Sequence, residues 1–115
     1  MPAKRLKANV RPQSGIAIID LYGEINAATE ETLNAAYAEA IALKPTAILL
    51  NLASVDYITS TGMALLVSLL AQARQVNQPL AVCGLNEHYK EVFKITRLTD
   101  FMTVFPDEAS ALNEL

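Results

Sequence analysis

The stretch from Leu49 to Met63 constrains this chain more than any other. It begins as an apolar run, Leu49-Leu50-Asn51-Leu52, and passes through the polar segment Ala53-Ser54-Val55-Asp56-Tyr57. It then closes on Ile58 and the hydroxyl cluster Thr59-Ser60-Thr61, followed by Gly62 and Met63. A helical pattern follows at once, with Met63, Leu66, Val67, Leu70 and Ala71 at helical spacing. This is a buried strand delivering hydroxyls to a helix N-terminus. Such a junction needs a sheet on one side and a packed helix on the other.

The flanking chain supplies both. Lys4 to Val10 alternates, with Leu6, Ala8 and Val10 on one side, as in a half-exposed strand. Arg11 to Gly15 is turn chemistry, and Ile16 to Tyr22 is a nearly continuous apolar strand that Gly23 ends. The two strands form a hairpin. Asn26 is placed to cap a helix whose stripe is Leu33, Ala36, Tyr37, Ala40 and Ile41, with Pro45 beyond its end. Ala47 to Leu52 is the third strand, and the helix after the hydroxyls runs to about Val76. Leu80 to Cys83 is a short buried strand. Asn86 caps a third helix carrying Tyr89, Val92, Phe93 and Thr96. Phe101 to Phe105 is the last strand, and Pro106-Asp107-Glu108 opens a short helix carrying Ala109 and Leu112. The order is β-β-α-β-α-β-α-β-α. It predicts an α/β fold: one small domain over residues 1–115, with a mixed, mostly parallel sheet and an N-terminal hairpin. The helices should cover one face more than the other.

Composition narrows the function. In 115 residues the chain is 52% hydrophobic and 18% charged, which excludes a disordered chain. Twelve acidic against nine basic residues argue against direct nucleic-acid binding. The basic group Lys4, Arg5, Lys7 and Arg11 reads as a solvated edge strand. No stretch approaches the roughly 18 apolar residues of a membrane span, so a cytoplasmic protein is expected. The lone Cys83 lies in an apolar run and reads as a buried, inert thiol. His88 is the only histidine and reads as a solvated helix residue. One His and one Cys cannot form the usual structural zinc site. Neither a Walker loop nor a Gly-x-Ser-x-Gly elbow is present. No enzyme, cofactor or metal is implied.

The hydroxyl cluster supports two compatible readings. One of the three caps the helix, worth about 1 kcal/mol. Alternatively, a partner addresses one of them chemically. A phosphate here would meet free N–H groups and the positive end of the helix dipole.

Asn51 to Gly62 resembles the signature of STAS domains, the family of bacterial anti-sigma factor antagonists and of sulfate-transporter tails. Leu21-Tyr22-Gly23-Glu24-Ile25-Asn26 is similar to a second motif of that family, Leu-x-Gly-Glu-Leu-Asp. The resemblance implies a STAS-like fold and a phosphorylation-controlled partner switch. The partner is an anti-sigma factor that is also a serine kinase, and a serine phosphatase reverses the modification. It implies Ser60 as the phosphorylation site, with Thr61 the second choice. It places Gly23, Glu24, Asn26, Thr59, Thr61, Gly62 and Met63 at the partner-binding surface. Two positions depart from the family pattern: Thr59 and Asn26 stand where acidic residues are usual. The alternative is a non-phosphorylated scaffold or an anion- or small-ligand-binding module in a signalling or transport assembly.

Overall fold

The computed structural model describes residues 5–115. Five strands lie in sequence order across one sheet. β1 (Lys7–Gln13) pairs antiparallel with β2 (Ile16–Ile25). β3 (Ala47–Ile58), β4 (Leu80–Cys83) and β5 (Thr103–Phe105) then add in parallel. The helices are α1 (Glu30–Ala42), α2 (Ser60–Gln75), α3 (Glu87–Ile95) and α4 (Glu108–Glu114). The mixed, mostly parallel sheet with its opening hairpin is the expected architecture.

A sheet built strand by strand in one direction puts crossover helices of one hand on one face. The core follows that rule. Leu21, Leu50 and Val82 meet Leu33 and Tyr37 of α1, Leu66 and Leu70 of α2, and Phe93 of α3 on one face. The other face is smaller: Ile18, Leu49 and Phe105 pack with Ala111, and half-buried Leu112 joins them, both on α4. β2 and β3 are therefore buried on both faces, which explains their continuous apolar runs.

Several boundaries differ from the sequence reading. The expected start of the first strand, Lys4, lies outside the described residues. β1 continues through Pro12 to Gln13, so the turn shrinks to Ser14-Gly15, with φ of 54° and 82°. Positive φ at both positions suits the twist of a tight hairpin, and an edge strand tolerates proline. Gly23 does not end β2. With φ at 109° it carries the strand through a register shift to Ile25. β3 likewise continues past Leu52, because Ser54 to Ile58 keep pairing with β2. Ala53, Ser54, Asp56 and Tyr57 are exposed there, so polarity marks solvent and not the end of the strand.

The helices differ in detail too. A 3-10 turn, Ala27–Thr29, precedes α1. In α2 the buried stripe is Gly62, Leu66, Leu69, Leu70 and Ala73, while Val67 and Ala71 face solvent. Thr96 is exposed beyond α3, and in α4 Ala111 rather than Ala109 is buried. Phe101 precedes β5 in a turn and is 55% exposed, with the Arg74 guanidinium 4.7 Å from its ring centroid.

Candidate functional site at the start of α2

The ends of β2 and β3 lie side by side, with Ile25 opposite Ile58. Both strands then run straight into helical turns. The two helix starts are thus neighbours at the C-terminal ends of two adjacent parallel strands. Thr59, Ser60 and Thr61 lie at one of them, and Asn26 at the other.

Thr59 is the N-cap of α2. Its hydroxyl accepts the Gly62 N–H at 3.0 Å and donates weakly to the Ile25 carbonyl at 3.4 Å. Its N–H donates to the same carbonyl at 2.9 Å. Gly62 is buried against that carbonyl, and a Cβ there would lie 2.2 Å from its oxygen. The glycine lets the helix start rest directly on the end of β2.

With the cap supplied by Thr59, the next two hydroxyls are released. Ser60 and Thr61 are exposed, and among the described residues their side chains make no hydrogen bond. They occupy the first turn of a 16-residue helix, where N–H groups lack intrahelical acceptors. The dipole there favours an anion.

Asn26 performs the matching role on the neighbouring turn. Its side-chain oxygen accepts the Ala28 N–H at 2.9 Å, and its Nδ2 donates to Glu24 Oε1 at 3.1 Å. The Thr29 hydroxyl accepts the Asn26 N–H at 3.3 Å and donates to the Asn26 carbonyl at 2.8 Å. Glu24 is half-buried and Met63 is half-buried against the core. Gly23 and Gly62 are buried, so they shape the backbone beneath the surface rather than form it.

Two contributors escaped sequence reasoning. One is the Ile25 carbonyl, on which Thr59 and Gly62 converge. The other is Tyr89 of α3, whose hydroxyl accepts the Ile58 N–H at 2.8 Å. Tyr89 read as a core residue; the signal available was only that a buried tyrosine hydroxyl needs a partner.

Cys83 is fully buried, and burial pushes its thiol pKa up to about 11. His88 is exposed, with its ring edge-on to Tyr89 at 4.8 Å. On the α4 face Arg11 donates to Asp20 from Nε at 2.7 Å and pairs with both oxygens of Glu108. No helix among the described residues is long and apolar enough to cross a membrane.

Known proteins are similar to this chain in sequence and in fold. Residues 7–111 match the STAS domain family model. A relative designated an anti-sigma factor antagonist, BtrV of Bordetella bronchiseptica, is 33% identical over 101 residues, covering 88% of this chain and 84% of its own. The crystal structure of an anti-sigma factor antagonist from Mycobacterium paratuberculosis superposes with a TM-score of 0.82 at 20% identity, covering 96% of this chain and 93% of the other. The phosphorylated form of the Bacillus cell fate determinant SpoIIAA superposes with a TM-score of 0.70 at 19% identity, covering 94% and 98%. The relative named as an antagonist and the shared fold agree with the family match, and the chain belongs to the STAS domain family.

Proposed function

We propose that this protein is an anti-sigma factor antagonist working as a phosphorylation-controlled partner switch. Its partner is an anti-sigma factor with serine kinase activity, and a serine phosphatase resets it. Ser60 is the acceptor, with Thr61 the second choice. Glu24, Asn26, Thr59, Thr61 and Met63 make the contact surface, shaped from beneath by Gly23 and Gly62.

One observation carries this reading. Thr59 has taken over the cap, so Ser60 stands exposed at the helix start with a hydroxyl that no structural role occupies. A phosphate there would be held by first-turn N–H groups and by the dipole, so it need not unfold the domain. It would instead add a dianion to the docking surface and oppose a complementary interface. The departures from the family pattern fit the same picture. Asn and Asp cap comparably well, and Thr caps nearly as well. Asn26 and Thr59 therefore keep both caps while removing two charges beside Ser60.

Those lost charges also favour a second reading, a non-phosphorylated scaffold or anion-binding module. Binding of Ser60 variants to the host's anti-sigma-type kinase separates the two. Ser60→Ala should bind constitutively and Ser60→Asp should bind at least tenfold more weakly. Equal binding by wild type and both variants would sink the switch.

A further inference from the structure

The sheet forks next to Ser60. β4 pairs with β3 only from Ile48 to Asn51 and stops at Cys83. β3 runs on to Ile58, held by β2 on one side. On the other side the chain turns away at Gly84, which packs so closely that a Cβ would lie 2.7 Å from the Ala53 nitrogen. It returns as α3. Between the two arms of the fork lies a cavity of about 90 Å³, lined by Leu52, Val55, Ile58, Leu85, Asn86 and Tyr89 among others.

Tyr89 closes the fork at its open end. It is 6% exposed, and its hydroxyl accepts the Ile58 N–H at 2.8 Å and donates to the Ile58 carbonyl at 3.4 Å. Asn86 orients it by capping α3, accepting the Tyr89 N–H at 2.9 Å. The hydroxyl thus replaces the ladder that β4 does not supply. Successive amides at the junction are held from opposite sides: Ile58 by Tyr89, Thr59 by Ile25. Ser60 follows immediately.

The geometry points to Tyr89 as a positioning residue for the Ser60 site: its hydroxyl fixes where β3 ends and α2 begins, and so couples α3 to the handling of Ser60. The coupling to function rests on Ser60 being the acceptor; the positioning does not. A loosened junction must be reordered when a partner docks, which weakens binding.

Residue-resolved amide hydrogen exchange on the full chain tests the positioning without a partner. Tyr89→Phe should speed exchange at Ile58, Thr59 and Gly62, the junction amides that have acceptors, about tenfold more than at Ile19 and Leu50, the effect expected for one lost buried hydrogen bond. Phe93→Leu is the control. It loosens the same helix through a fully buried side chain and leaves the hydroxyl in place. Its exchange should rise across the domain without singling out Ile58, Thr59 and Gly62. The same pattern in both variants, or no change in Tyr89→Phe, overturns the proposal. Phosphoryl transfer from the host's anti-sigma-type kinase then reads the coupling. Tyr89→Phe should be about tenfold slower than Phe93→Leu, and equal rates contradict the coupling. If wild type itself accepts no phosphate, Ser60 is not the acceptor and the coupling fails with it, while hydrogen exchange still judges the placement of Tyr89.

Discussion

Gly62 rests on the carbonyl of Ile25 so closely that a Cβ would lie 2.2 Å from its oxygen. That oxygen also receives the N–H of Thr59. The end of β2, the cap of α2 and the glycine are therefore one contact. It sets where Ser60 stands relative to the sheet.

Gly62→Ala tests this contact. Alanine is the better helix former by about 1 kcal/mol. Here the gain is outweighed, because backbone rather than a flexible side chain must move. We expect a net loss of about 1–3 kcal/mol, a fall in Tm of roughly 5–15 °C. Thermal unfolding followed by circular dichroism checks it. A rise in Tm would show that the helix start is not pinned on Ile25.

The hydroxyls divide their labour, and stability should show it. Thr59→Ala should cost about 1 kcal/mol through the lost cap, whereas Thr59→Asp should stay within about 0.5 kcal/mol of wild type. Ser60→Ala should be near neutral. Ser60→Asp should gain about 0.3–1 kcal/mol from the helix dipole, even though the proposed switch requires it to weaken partner binding. Urea midpoints with unchanged slopes provide the comparison. A large loss in Ser60→Ala would mean that Ser60 is a structural cap.

This division was only partly legible in the sequence. A hydroxyl triplet shows that a helix begins, but it offers three frames. The frame depends on where β3 ends, and β3 ends six residues past Leu52, the last residue of its apolar run, because β2 follows it through the shift at Gly23. Asn86 was legible as a cap, since its partner, the Tyr89 N–H, is three residues away. The Tyr89 hydroxyl was not, because its role depends on β4 stopping early. Nor was the face taken by α4, where Ala111 packs on Ile18, Leu49 and Phe105 and Arg11 reaches Glu108 across 97 positions.

Acid stability should depend on the α4 face. Asp20 is buried and its carboxyl is held below the usual range, first by hydrogen bonds from Arg11, against burial, and then by Asn51 at 2.8 Å. A folded pKa below the unfolded value of about 3.9 contributes stability that is complete above that value. It is lost as pH falls through the folded pKa. Wild type should therefore lose stability below about pH 4, and Asp20→Asn should flatten that limb. Urea titrations between about pH 2 and 7 read the difference. Parallel curves would show that Asp20 does not set the acid limb.

Two buried tyrosines should respond oppositely to loss of the hydroxyl. The Tyr37 hydroxyl is buried with no hydrogen-bond partner among the described residues. Tyr37→Phe should be neutral or stabilising by up to about 1 kcal/mol. Tyr89→Phe strands the Ile58 N–H and should cost about 1–3 kcal/mol. Equilibrium unfolding of the pair makes the comparison, and equal losses would contradict it.

The proposed switch requires Ser60 to be a phosphate acceptor, freed for that role by the cap at Thr59. Intact-mass spectrometry with peptide mapping, on protein purified from its native host across growth and stress conditions, tests it most directly. The expected result is a species heavier by one phosphate, mapped to Ser60 and absent in Ser60→Ala. Protein without added phosphate under every condition, or phosphate confined to other residues, would contradict it.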